Sequence, residues 1–307
     1  MSNRMKTTIK VQKPYNFDLS ARIFADGDPQ IRKYENGAFW QVLRINTKLI
    51  LVKVKSSKNP HNSDLSVELV SNEPISDEDV ESTKKIIFYI FNLDFDLLPF
   101  YKDMKDDKIM SKLIQSLAGL KNPTTPTIFE SLVDSIIEQQ ISLKVAHIIE
   151  RKMIKTFGST LDIDGVVYYA YPTPNQLNNA TNDQLRECGL SFRKVEYIKD
   201  ISKLIIEGKL NLEKFKEYDD MNQIVDELCE IRGVGIWTAE LTVLRGLNKV
   251  EAIPADDIGL QRVISHFYCD GNKISSQKVR IIAKNWGKWK GLAAFYLIMA
   301  EMININI

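Results

Sequence analysis

Short alternating stretches of apolar and polar residues run through the first third of the chain. Tyr15–Ser20 alternates, and Leu65–Leu69 does the same, the period of a half-buried strand. Ala38–Ile45 and Leu49–Val54 have the same look, with Asn46-Thr47 as the turn between them. Gly27, Gly37, Pro60 and Asn62 punctuate the gaps. The pattern predicts an antiparallel sheet with one buried face. From Ile75 to Asn92 the period turns helical, and Ser76-Asp77-Glu78-Asp79 is a capping-box start.

Asn122-Pro123-Thr124-Thr125-Pro126 marks a boundary, and beyond it the pattern is helical almost to the end. Phe129, Leu132, Val133, Ile136, Ile137 and Ile141 share one helical face. Ala146, Ile149, Met153 and Phe157 predict a second helix, stopped at Gly158. Thr173-Pro174 starts a helix, and Thr181–Gln184 caps a short one ending at Gly189. Ser191 caps a helix running to Ile206. Further helices are expected near 220–230, 236–246, 257–268, 276–286 and 290–302. The fold class is therefore α+β, with a sheet-bearing part over 1–120 and an all-α part over 121–307.

Composition changes the picture by exclusion. The chain has 307 residues, 44% hydrophobic and 26% charged, which excludes disordered or collagen-like classes. Its formal net charge is +1. Up to residue 120 it has 18 basic and 16 acidic residues, and beyond it 23 and 24, so neither part is a basic tail. Bulk charge is thus no handle for nucleic acid or membrane, although local basic placement is. Cys188, Cys229 and Cys269 form no CxxC pair, and His61, His147 and His266 do not cluster. Zinc and iron–sulfur ligand sets are missing. No apolar run approaches the roughly 20 residues of a membrane span. The N-terminus carries Arg4, Lys6, Lys10 and Lys13 without an apolar stretch to follow, unlike a secretory signal. A soluble intracellular monomer is the expectation.

The segment Leu228–Ala239 carries the first candidate chemistry. One helix ends, Gly233-Val234-Gly235 follows, and another helix begins at once. Bare backbone N–H groups at a helix N-terminus form a phosphate site. The same residues also read as a plain helix–helix turn, since short glycine patterns are common. Asp256 lies 21 residues after Gly235, in Pro254-Ala255-Asp256-Asp257. An aspartate at a helix start is a common cap. Two adjacent ones leave one to cap and one to act.

Hairpin plus Pro-x-Asp resembles the helix-hairpin-helix DNA glycosylase superfamily. Phe129-Glu130-Ser131-Leu132-Val133 with Glu138-Gln139-Gln140-Ile141-Ser142 is similar to the signature of its 3-methyladenine DNA glycosylase II branch. So are Tyr171-Pro172-Thr173-Pro174 with Leu185–Lys194, and Trp286–Ala293. The segments run in the right order from about 120 to 302. Pro14-Tyr15-Asn16-Phe17 matches the family's N-terminal sheet domain more loosely.

The resemblance implies removal of a damaged base from double-stranded DNA by cleavage of its N-glycosidic bond, after the nucleotide is flipped out. Asp256 takes the catalytic role and Asp257 the cap. Trp237 stands where the bifunctional 8-oxoguanine branch has its lysine. A tryptophan forms no Schiff base, which implies a monofunctional enzyme acting on alkylated purines such as 3-methyladenine. The alternatives are a bifunctional oxidised-purine glycosylase/lyase and a non-catalytic hairpin module. Trp237, Trp289 and Leu241 are the implied base pocket, with Leu241 where the family often has an aromatic. Trp286 is expected to pack between helices. Gln140 is implied to fill the gap left by the flipped base. Gly233, Val234 and Gly235 are the implied contacts to phosphates; Arg245 and Lys290 read either as further phosphate partners or as solvated surface charges. No cofactor is required, and a structural Na+ or K+ is implied at the backbone carbonyls of Cys229, Ile231 and Val234.

Overall fold

A computed structural model describes residues 2–25, 27–56 and 64–305. Two expected turn residues, Pro60 and Asn62, lie outside them, as does His61. The expected antiparallel sheet forms from β1 (Asn3–Ile9), β2 (Arg32–Glu35), β3 (Ala38–Ile45), β4 (Lys48–Ser56) and β5 (Leu65–Ser71). Its order is β1-β5-β4-β3-β2. Asn46 turns β3 into β4 with a left-handed φ of 52°, a conformation asparagine tolerates. β1 is an edge strand whose outward positions include Arg4 and Lys6. Charge on an edge blocks further pairing, and it also hides the strand from an apolar-pattern search.

One expectation fails here. Tyr15–Ser20 is not a strand: Phe17–Phe24 is a helix, α1. Asn16 caps it, its side chain accepting the Leu19 N–H at 3.0 Å. Phe17, Ser20 and Ala21 are buried, which is helical spacing. Six residues are too few to separate a period of two from 3.6.

α1 and α2 (Asp77–Ile90) cover one face of the sheet, burying Leu43, Ile50, Val52, Val67 and Leu69 with Phe17, Ile87 and Phe91. The expected capping box closes α2: Ser76 Oγ accepts the Asp79 N–H, and Asp79 accepts the Ser76 N–H. Lys48 also donates to Asp79 at 2.6 Å and holds its carboxyl well below the usual range. The second face is not bare. β6 (Thr160–Ile163) and β7 (Val166–Tyr169), an unexpected hairpin, lay Leu161 and Ile163 on Val42, Leu51 and Val70. Its turn is Asp164-Gly165, both left-handed, which is a strong hairpin dipeptide.

The helices follow in the expected places: α5 (Ile128–Glu138), α6 (Leu143–Phe157), α7 (Pro174–Asn179), α8 (Asn182–Glu187), α9 (Phe192–Ile206), α10 (Met221–Cys229), α11 (Ile236–Leu247), α12 (Ile258–Tyr268), α13 (Ser276–Ala283) and α14 (Lys290–Met302). Two more, α3 (Leu98–Asp103) and α4 (Lys108–Ser116), precede them. Ile141 departs from the expected α5 face: it lies past the helix end and is exposed. α5, α6, α9, α10 and α11 enclose one core. α3, α4, α12, α13 and α14 enclose a second. Leu97–Leu120 therefore share a core with Val250–Ala300, and the change of secondary structure near residue 120 is not a gap in packing.

Asn122–Thr125 is buried rather than a solvated linker. The Thr125 N–H donates to the Arg245 carbonyl at 2.9 Å, Asn122 Nδ2 donates to Leu244 O at 3.3 Å, and the Tyr89 hydroxyl donates to Gly246 O. These carbonyls belong to the last turn of α11, where no helical N–H reaches them. Tyr89 of α2 and the buried segment Asn122–Thr125 thus fix the far end of the helix that begins at the hairpin.

Candidate active site

The two hairpin glycines serve different ends. Gly233 has φ +90°, and a Cβ there would lie 2.3 Å from the Tyr197 ring. Both conformation and space demand glycine. Gly235 is the N-cap of α11 with φ −95°, and it has no side-chain cap. A Cβ on it would meet nothing within 4 Å. The fold leaves the approach to the α11 N-terminus open. Val234, between them, turns inward and is buried.

Side chains from two other segments brace this turn. Arg232 forks onto Asp200 and Glu196 of α9, both at 2.9 Å. Gln139 Nε2 donates to Gly233 O at 2.9 Å and to Thr238 Oγ1 at 3.0 Å. Buried Lys194 donates to Ile137 O at 2.8 Å and Gln139 O at 2.7 Å, and burial lowers its ammonium's pKa. Gln140 follows at a left-handed corner, φ 57°, and is exposed. The side chain expected to enter the duplex therefore projects from a corner that Lys194 and Gln139 hold. Neither of those two drew a role from the sequence, although both lie in segments that carry the family resemblance.

The aspartate pair divides as expected in one respect: Asp257 is the N-cap of α12, its Oδ1 accepting the Leu260 N–H at 2.7 Å. Its Oδ2 accepts the Trp237 indole N–H at 3.2 Å, so one carboxylate joins the N-termini of α11 and α12. Asp256 keeps a 48% exposed side chain, with Arg280 Nη2 at 3.8 Å from its Oδ2. Arg280 in turn binds Glu240 of α11 through both oxygens, at 2.9 and 3.1 Å. Burial raises the Glu240 pKa, and the Arg280 guanidinium opposes the rise.

Other expected site residues sit differently. Arg245, expected at phosphates, is committed to Glu138 at 2.5 Å. Trp289 is buried in the second core, edge-on to Phe95, with its N–H on Asp103 at 2.8 Å and Lys288 over its ring. Trp286 packs fully buried against Tyr268, as expected. Leu241 is buried and Trp237 half-buried. Lys290 is half-buried at the start of α14, and its charge lowers the Glu240 pKa. Of the three carbonyls expected to hold a cation, that of Ile231 already accepts the Val234 N–H at 3.0 Å. Among the described residues, no three His, Cys, Asp or Glu side chains gather as metal ligands. No helix of the described residues is long and apolar enough to cross a membrane.

The profile of the HhH-GPD superfamily base excision DNA repair proteins matches residues 133–288. The chain belongs to that superfamily, and it is a DNA glycosylase of base excision repair. It is 27% identical over 299 residues to the DNA-3-methyladenine glycosylase of Bacillus subtilis (strain 168), covering 96% of this chain and 97% of that one. The solved 3-methyladenine DNA-glycosylase from Archaeoglobus fulgidus superposes with a TM-score of 0.85 at 27% identity, covering 98% of this chain and all of that one. The 8-oxoguanine glycosylase/lyase of Clostridium acetobutylicum, bound to double-stranded DNA, shares the fold at a TM-score of 0.77 and 23% identity, over 99% of both chains.

Proposed function

We propose that the protein is a monofunctional glycosylase that hydrolyses the N-glycosidic bond of alkylated purines such as 3-methyladenine in double-stranded DNA. The observation that carries this reading is Trp237. At the position where a lyase needs an amine, the chain has an indole, tethered by Asp257 beside the open end of α11. An electron-rich indole face suits a cationic alkylated base through a cation–π contribution. Water is then the nucleophile. The backbone N–H groups beside Gly235 take a phosphate of the flipped nucleotide, and the exposed Asp256 carboxylate stabilises positive charge developing on the sugar. It also orients the attacking water.

Duplex oligonucleotides, each with one lesion (3-methyladenine, 7-methylguanine, hypoxanthine, 1-methyladenine or 8-oxoguanine), test this after alkaline cleavage. Release of 3-methyladenine without strand nicking before alkali is expected. Release of 8-oxoguanine together with a borohydride-trapped covalent adduct would overturn it in favour of a glycosylase/lyase.

A further inference from the structure

The Glu240–Arg280 pair lies beside Asp256 yet has no role in the chemistry described above. Arg280 comes from α13 and Glu240 from the second turn of α11, so their fork links the hairpin helix to the second core. The Glu240 carboxylate is nearly buried, with a side-chain exposure of 8%, while Arg280 stays 38% exposed. A carboxylate leaves water at a cost unless a cation pairs with it in good geometry. The two-point fork supplies that geometry and removes the guanidinium's freedom to wander. One edge of the fixed guanidinium then stands 3.8 Å from Asp256 Oδ2.

From this geometry we infer that Arg280, locked by Glu240, is a positioning residue that aims the Asp256 carboxylate at the sugar. The inference rests on the catalytic reading of Asp256 above. Asp256 is half exposed on the loop before α12, where Arg280 is its ion-pair partner. Asp257 beside it is fixed by its cap and by Trp237. The charged groups beside Asp256 are Arg280 on α13, Glu240 on α11 and Asp257 on its own segment, and Lys290 on α14 acts on Glu240. Glu240, Arg280 and Asp256 together carry one net negative charge. Arg280 thus keeps two carboxylates from repelling each other without cancelling the charge presented to a developing cation. Misplacing a catalytic group by about 1 Å costs up to 10²-fold in rate, so a fixed guanidinium beside an exposed carboxylate acts on the chemical step rather than on binding.

The test is a double-mutant cycle under single-turnover conditions on 3-methyladenine duplex, with binding to abasic-site duplex measured alongside. Arg280→Met is expected to slow base release by about tenfold to a hundredfold, with abasic-duplex affinity unchanged within about twofold. Arg280→Lys, which keeps the charge but loses the fork, should recover part of the rate. In an Asp256→Asn background, Arg280→Met should cost nothing further, because its effect passes through Asp256. Should Arg280→Met fail to fold with Glu240 left unpaired, the neutral pair Arg280→Met, Glu240→Gln makes the same comparison. Unchanged rates overturn the inference. So does a loss of affinity that adds to Asp256→Asn, which would make Arg280 a phosphate contact. Full activity of Asp256→Asn alone would instead overturn the catalytic reading itself.

Discussion

The Trp237 indole N–H donates to one oxygen of Asp257 at 3.2 Å, while the other oxygen caps α12 through Leu260 at 2.7 Å. Asparagine at 257 has a single acceptor oxygen, which serves either the cap or the indole. As asparagine is a good N-cap, Asp257→Asn should leave the melting temperature within a few degrees and free the indole. Slower excision with a shifted Trp237 fluorescence spectrum is expected. Asp257→Ala should lose about 1 kcal/mol as well, read by chemical denaturation.

Asp256 is exposed and does not serve as the α12 cap, so its replacement tests chemistry without breaking structure. Asp256→Asn should lower single-turnover excision by roughly 10²-fold or more, the scale of losing one group aimed at developing charge. Affinity for abasic-site duplex should hold or rise.

The two hairpin glycines predict opposite outcomes for one substitution. Gly233→Ala drives a methyl into the Tyr197 ring at a left-handed position, and should cost on the order of 2–4 kcal/mol. At Gly235 the space is open. The loss of a glycine cap and the stiffer unfolded chain there nearly cancel, each on the order of 1 kcal/mol. Gly235→Ala should therefore melt like the parent and yet bind abasic-site DNA more weakly, because its methyl stands where a phosphate approaches. Equal melting and equal binding would remove the hairpin from the interface.

A buried acid cluster predicts the pH dependence of stability. Arg32 reaches from β2 to Glu130 and Glu150 at 3.7 and 3.8 Å, and the Tyr171 hydroxyl donates to Asp134 at 2.7 Å. Burial pushes the Glu130 carboxyl up to about 8 from its ordinary 4.5, against the pull of Arg32. Burial, then the charges of Glu150 and Glu130, also raise Asp134. The folded chain thus holds protons that the unfolded chain releases. Stability from these groups is complete below the ordinary carboxylate range and is lost as pH rises through about 8. Melting temperature should fall between pH 5 and 8.5, and Glu130→Gln should flatten that fall, measured by calorimetry across the range.

Features set by neighbours in sequence were legible in the chain: the Ser76 and Thr181 capping boxes, the Asn46-Thr47 turn, the hairpin glycines and the Asp256-Asp257 pair. The six-residue alternation at Tyr15–Ser20 fits two periods and so does not reveal α1. The charged outward residues of β1 mask its period, and flanking helical patterns mask the Asp-Gly turn of β6–β7. The anchors of the site were invisible for a different reason. Arg280 meets Glu240 only once α13 packs near α11, and Lys194 finds the carbonyls of Ile137 and Gln139 only where α9 crosses the end of α5. Such partners depend on helix crossings, which periodicity does not encode. The same holds for Arg245, which meets Glu138 only once α11 packs on α5.

The β6–β7 hairpin also imposes an order on the nascent chain. All five strands of the main sheet have been synthesised once residue 71 is made, yet Val42, Leu51 and Val70 stay uncovered until Leu161 and Ile163 follow. Throughout that interval the half-made protein carries a wet, apolar sheet face, the kind of surface on which chaperones act and aggregates nucleate. A fragment ending at residue 120 keeps that face for good and should be recovered insoluble.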